Sequence, residues 1–193
     1  GFGRVARRFG LALDNVRAVD IVNADGKLRH ASPAENADLY WGVRGGGGNF
    51  GVVTNFEFEL HPMQRQVIAG SVAFPIERAR ELLAFYGEYS AAAPDELYVD
   101  AILSAPMGKP GAIILAPVWS GPAGDADRVL APLRKLGTPL ADTIKAWDYE
   151  ALQRSTDRSD PRNEGTYLKS GFIDAYPADL PGAIVDAFQA DPT

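Results

Sequence analysis

The chain has 193 residues, 46% of them hydrophobic, and a formal charge of −6, which is enough for one compact domain or for parts of two. Lysine and arginine do not cluster, which argues against nucleic acid, and the longest apolar run, 112–118, is too short to cross a bilayer. There is no cysteine, and only His30 and His61 could supply imidazole, so disulfides, thiol nucleophiles and thiolate-held metals are excluded and no metal site is expected.

The acidic balance leads us to expect a soluble protein, with a cytoplasmic setting favoured. The first residues, Gly1-Phe2-Gly3-Arg4, carry no initiator Met and no signal pattern. They read as the middle of a glycine loop, so an internal piece of a longer protein is expected.

In chain order, Val5 and Phe9 followed by Gly10 predict a short helix with a glycine at its end. Ala18 to Val22 reads as a strand, Asn23-Ala24-Asp25-Gly26 as a turn and Lys27 to Ala31 as the returning strand of a hairpin. Ser32-Pro33-Ala34-Glu35 has the spacing of a capping box, and Leu39, Tyr40 and Val43 supply the face of the helix it would begin. After a glycine run, Phe56, Phe58 and Leu60 alternate with Asn55, Glu57 and Glu59, predicting a half-buried strand.

His61-Pro62-Met63 reads as a domain boundary. Beyond it, Val67 to Phe74 predicts a strand closed by Pro75, and Ala79, Leu82, Tyr86 and Tyr89 a helix running towards Pro94. Leu97 to Leu103 and Ala112 to Trp119 predict a hairpin, with Trp119 as its buried tryptophan. Ala126, Val129, Leu130, Leu133 and Leu136 predict a helix kinked at Pro132 and stopped at Gly137. A short helix over Tyr149 to Ser155, a strand over Tyr167 to Asp174 and a last helix through Leu180, Ile184 and Phe188 complete the reading. The elements mix without a regular β-α alternation, so the fold class is α+β.

The chemical signal is concentrated at Gly45 to Gly51. Residues without a Cβ reach positive φ cheaply and let backbone amides approach an anionic ligand. Gly46-Gly47-Gly48-Asn49-Phe50-Gly51 satisfies G-x-G-x-x-G, but that fingerprint needs a strand before it and a helix after it. Here a helix precedes and a strand follows, so the Rossmann reading fails. A phosphate-binding loop ending in Lys-Ser or Lys-Thr is also absent.

Three segments, Gly1 to Asn15, Val19 to Gly26 and Asp38 to Thr54, resemble in order and spacing the berberine bridge enzyme-like branch of the vanillyl-alcohol oxidase and p-cresol methylhydroxylase flavoproteins. The resemblance implies FAD as cofactor. It also implies the second half of a p-cresol methylhydroxylase-type (PCMH-type) FAD-binding domain over residues 1–62, followed by an incomplete α+β substrate domain with an antiparallel sheet over 63–193. Gly1 and Gly3 would border the flavin and ribityl chain, and Asp14 and Asn15 would fix the subdomain against the cofactor. Gly51, Val52 and Val53 would lie near the adenine end, with sheet core as the competing role for the two valines and a plain turn for Asp14-Asn15. The family's histidine and cysteine flavin attachments have no counterpart here.

The implied reaction oxidises a C–H beside a hydroxyl or amine of a small organic molecule, with hydride passing to flavin N5. Tyr167 and Lys169, two apart on an expected strand, share a face and are the candidate catalytic pair, against the plainer reading of an aromatic and a snorkelling lysine. His30 reads as solvated and His61 as a marker of the domain exit. The alternative function is a truncated, non-catalytic α+β module that binds no flavin. In either case an interrupted sheet leaves strand edges that invite self-association.

Overall fold

The computed structural model describes residues 3–106, 108, 110–155 and 170–190, and the chain forms two compact units, Gly1–Met63 and Gln64–Thr193. In the first, α1 (Ala6–Phe9) ends at Gly10 and a 3-10 turn over Ala12–Asn15 leads into β1 (Val16–Val22). This strand begins two residues before the expected Ala18. β2 (Leu28–Ala31) returns antiparallel, from Val22↔Leu28 to Val19↔Ala31, which completes the expected hairpin. α2 (Ala37–Val43) crosses one face, and β3 (Val52–Phe58) pairs antiparallel with the other edge of β1, giving the order β2-β1-β3.

The core of this unit is Val16, Val19, Ile21 and Ala31, packed against Leu39, Tyr40 and Val43 of α2 and against Phe50 and Val53. Tyr40 fixes the helix to the sheet by donating its hydroxyl to Val16 O at 2.6 Å. Two expectations fail here. The Ser32–Glu35 spacing does not start the helix, because the Glu35 N–H donates to Ser32 Oγ at 3.2 Å within a turn. The helix starts instead behind Asn36, at φ 49, a conformation that asparagine tolerates and that its donation to His30 O at 2.7 Å holds. Nor is β3 half-buried along its length. Phe56 and Phe58 are 54% and 43% exposed, because β3 is an edge strand and the seven residues of α2 extend only ~10 Å across the sheet.

The second unit is an antiparallel sheet backed by helices. β4 (Gln66–Ala69) and β5 (Val72–Pro75) lie end to end along one edge of β7 (Ala112–Trp119), while β6 (Leu97–Ser104) pairs with the whole of the other edge. β8 (Ala141–Asp142) and β9 (Lys145–Asp148), absent from the sequence reading, flank β5 and β4 in turn. The expected single strand over 67–74 is thus two strands. The break falls at Gly70, where a Cβ would overlap the carbonyl of Thr143. The Ser71 N–H donates to Thr143 Oγ1 at 3.0 Å across the interruption, and both halves keep one register with β7.

α3 (Ala79–Ala91), α4 (Ala126–Arg134) and α6 (Leu180–Ala190) cover one face of this sheet. Leu97, Val99, Leu115 and Trp119 pack with Val129, Leu130 and Leu133 of α4, while Val72, Phe74 and Ile113 pack with Leu82 and Leu83 of α3 and Val185 of α6. Trp119 is buried as expected, its indole N–H donating to Pro122 O at 2.8 Å. α4 contains Pro132 and ends at Arg134, short of Leu136. α5 (Tyr149–Arg154) is capped by Asp148, which accepts from the Ala151 N–H at 3.1 Å. The strand expected over 167–174 falls partly outside the described residues, and Ser170 to Asp174 carry no strand.

Candidate functional site

The glycine run joins α2 to β3 through a 3-10 turn over Gly47–Phe50, the helix-before, strand-after order that excludes the dinucleotide fingerprint. Its glycines do different jobs. A Cβ on Gly42 or Gly46 would run into the ring of Phe50, so these two make room for a packed aromatic. Gly51, at φ 142, lets the chain cross Val22, whose carbonyl oxygen a Cβ would overlap. At Gly47, φ 65, and at Gly48 a Cβ would meet nothing within 4 Å. Gly45 and Gly47 border a cleft of about 390 Å³ whose apolar wall includes Leu13, Val43, Phe56 and Phe58. The two phenylalanine rings stack at 5.6 Å.

The other sequence candidates have distinct positions. Gly1 lies outside the described residues. Gly3 borders a second hollow, of about 250 Å³, with Phe9, Gly10 and Asn15. Asp14 accepts from the Leu11 N–H at 2.8 Å and lies 3.7 Å from Arg44, whose Nε donates to Leu13 O. Asn15 donates through Nδ2 to the carbonyls of Phe9 and Leu11, at 2.8 and 2.9 Å, and its Oδ1 meets Nε2 of His61. The His61 ring in turn stacks on Phe9 at 4.9 Å. Both side chains therefore serve the turn itself. Val53 packs into the core while Val52 stands 71% exposed, so the two valines part company. Tyr167 and Lys169 lie outside the described residues.

His30 is exposed, as the solvated reading expected, and it also has a partner. Its Nδ1 lies 2.8 Å from Asp20, directly opposite on β1, and Asn55 on β3 donates to the other carboxylate oxygen at 3.3 Å. The hydrogen bond holds the imidazole pKa above its ordinary value and the carboxyl below its own. The signal was available, because residues at mid-strand on paired strands with opposite charge tend to meet.

In the second unit a hollow of about 730 Å³ is lined by Arg65, Trp147, Asp148, Glu150 and Arg154. Its charges satisfy one another: Arg65 pairs with Asp148 and lies 3.6 Å from Glu150, which Arg154 meets at 2.8 Å. That is an exposed ion-pair net, and size alone does not make it a site. More distinctive is the sheet face turned away from the helices. Since Leu97, Val99, Ile113 and Leu115 face α3 and α4, strand alternation turns Tyr98, Asp100, Ile102 and Ala116 to the other side. There the Tyr98 hydroxyl donates to Asp100 Oδ1. Sequence reading missed this pair, whose i, i+2 spacing was its signal. Among the described residues no cluster of histidines and carboxylates could hold a metal ion, and no helix is long and apolar enough to cross a membrane.

No protein-family model matches the chain. A FAD-linked oxidoreductase of Dictyostelium discoideum is 31% identical over 196 residues, a match that takes in 100% of this chain and 42% of that protein. The relatives are FAD-linked oxidoreductases. A chitooligosaccharide oxidase of Gibberella zeae is 51% identical over 59 residues, 31% of this chain and 12% of its own length. Among solved structures, 6-hydroxy-D-nicotine oxidase of Arthrobacter nicotinovorans superposes with a TM-score of 0.70 at 27% identity, covering 80% of this chain and 35% of that one. The α+β architecture with antiparallel sheets is the one these structural neighbours share. The chain spans less than half the length of the relatives it matches.

Proposed function

We propose that this chain is part of an FAD-dependent oxidoreductase of the berberine bridge enzyme-like kind, with residues 1–62 in its FAD-binding domain and 63–193 in its substrate domain. The observation that carries the reading is the cleft of about 390 Å³ beside the glycine turn. Bare backbone at Gly45 and Gly47 forms one rim, and Leu13, Val43, Phe56 and Phe58 form an apolar wall on which Phe56 and Phe58 stand partly open to solvent. These residues fit one portion of a flavin nucleotide, an apolar ring edge lying against main chain.

When bound, the flavin would supply the redox chemistry, accepting hydride at N5 from a substrate C–H beside a hydroxyl or amine. This chain's part is to hold and shield. Gly3 and the Phe9–Asn15 turn border a hollow of their own, with Asp14 and Asn15 making that turn rigid. Exposed Val52 and the Gly51 main chain offer a further small contact surface at the start of β3. Relatives named for chitooligosaccharides and for 6-hydroxy-D-nicotine support a hydroxylated small molecule as the substrate class.

A second reading, a scaffold that binds no flavin, draws on the purely structural work of Gly42, Gly46 and Gly51 and on the internally satisfied Asn15. One experiment separates the two. The full-length protein carrying this chain is purified, incubated with FAD, desalted and examined by visible absorption and intact mass. Retained flavin absorption that bleaches when substrate is added without oxygen supports the oxidoreductase; a colourless protein supports the scaffold.

A further inference from the structure

We infer that Arg44 is a ligand-binding residue, holding the acceptor edge of a planar nitrogen heterocycle of the cofactor in the cleft beside the glycine turn. This deepens the oxidoreductase reading and rests on it. Arg44 follows the last residue of α2 and leaves the helical path at ψ 69. Its guanidinium lies over the ring of Tyr40, 5.0 Å from the ring centre. There Nε donates to Leu13 O at 2.8 Å, while Nη2 stands 3.7 Å from Asp14, beyond hydrogen-bond reach. Nothing among the described residues accepts from Nη1. The guanidinium is thus fixed through one N–H and one face, with donors to spare.

The surroundings select the ligand. Arg44 borders the cleft of about 390 Å³, and among the described residues that line it no other side chain is polar. Phe56 and Phe58, stacked at 5.6 Å and partly open to solvent, offer apolar surface to a flat ring. Gly45 and Gly47 on the rim leave room for close approach. The Asp14 carboxylate offsets the charge of Arg44, so a phosphate would meet a pair of no net charge and then an apolar wall. An uncharged ring nitrogen or ring carbonyl fits: the planar fork gives it directed hydrogen bonds, and the phenylalanines cover the ring. Adenine and isoalloxazine both present such an edge, and both belong to FAD.

The test uses the full-length apoprotein, prepared under riboflavin limitation. Arg44→Met keeps an apolar stem and removes the donors; it should raise the half-saturating FAD concentration roughly ten- to hundredfold. Arg44→Lys keeps the charge without the planar fork and should recover little of that. A purely structural role would lower the melting temperature and leave FAD uptake by the folded variants as in the wild type, which overturns the inference alone. A wild-type protein that takes up no FAD overturns the flavin reading and the inference with it. Should both variants fold poorly, phenylglyoxal labelling of the wild type, read by peptide mass, decides. Arg44 must be modified in the apoprotein and protected by FAD, and by adenosine or riboflavin according to the ring it holds. Equal modification with and without FAD overturns the assignment, as does protection by pyrophosphate in place of either ring.

Discussion

Gly51 crosses Val22 so closely that a Cβ on the glycine would overlap the valine's carbonyl oxygen. The glycine also sits at φ 142, where side chains are strained. Gly51→Ala should therefore destabilise the first unit by about 2–4 kcal/mol. Gly48→Ala, with open space around the missing Cβ and no positive φ, should cost well under ~1 kcal/mol. Urea unfolding of the two variants checks the contrast. Equal losses would mean the run acts as one unit and not as separate positions.

A parallel case lies on α3. The ring of Tyr176 rests where a Cβ on Gly87 would be, and its hydroxyl donates to Leu83 O at 2.9 Å. Gly87→Ala should cost about 1–3 kcal/mol by overpacking. Tyr176→Phe, which removes only the hydrogen bond, should cost about 1 kcal/mol. Thermal melts of both variants, and of the double variant, would show whether the ring position or the hydroxyl matters more.

Asn15 satisfies two carbonyls and a histidine at once. Asn15→Ala should destabilise the first unit by about 1–3 kcal/mol, while Asn15→Asp, unable to donate through its side chain, should recover little of that. If the residue's main duty were to the cofactor, flavin affinity would fall with stability unchanged. Denaturation and FAD titration on the same variants distinguish the two.

The His30–Asp20 pair predicts a pH signature. The imidazole pKa is raised by its bond to Asp20, so that part of the stabilisation is complete below about the ordinary value of 6.5 and fades as pH rises through the raised value. The carboxyl pKa is lowered by the same bond, so its part is present above the ordinary 3.8 and is lost as pH falls through the depressed value. The pair should thus tighten the β1–β2 hairpin only between those limits. NMR titration of the His30 ring should give a midpoint above 6.5 that drops in Asp20→Asn. No drop would show that the bond does not form in solution.

Local pattern carried the fold further than it carried the site. The β1–β2 and β6–β7 hairpins were legible because turn residues and alternation agree at each. The capping-box spacing at Ser32 misled because the same hydroxyl that caps helices also closes turns. β8 and β9 left almost no trace, since strands of two and four residues hold their place through β5 and β4 and not through their own propensity. At the site, sequence marked the glycine run but could not separate Gly46, which faces Phe50, from Gly47, which faces open space. That distinction depends on where an aromatic ring comes to rest.

The joint between β4 and β5 has a consequence for how this sheet could evolve. Because Ala69 and Val72 still answer to Val118 and Leu115 in phase, the joint behaves as a crease in a continuous ribbon. Loss or gain of a single residue at Gly70-Ser71 would throw that ribbon half a pleat out of step, rolling Phe74 out of the interior and Ala73 into it. Length at this spot should be far less negotiable than the identity of its residues, a reversal of what holds in an ordinary surface loop.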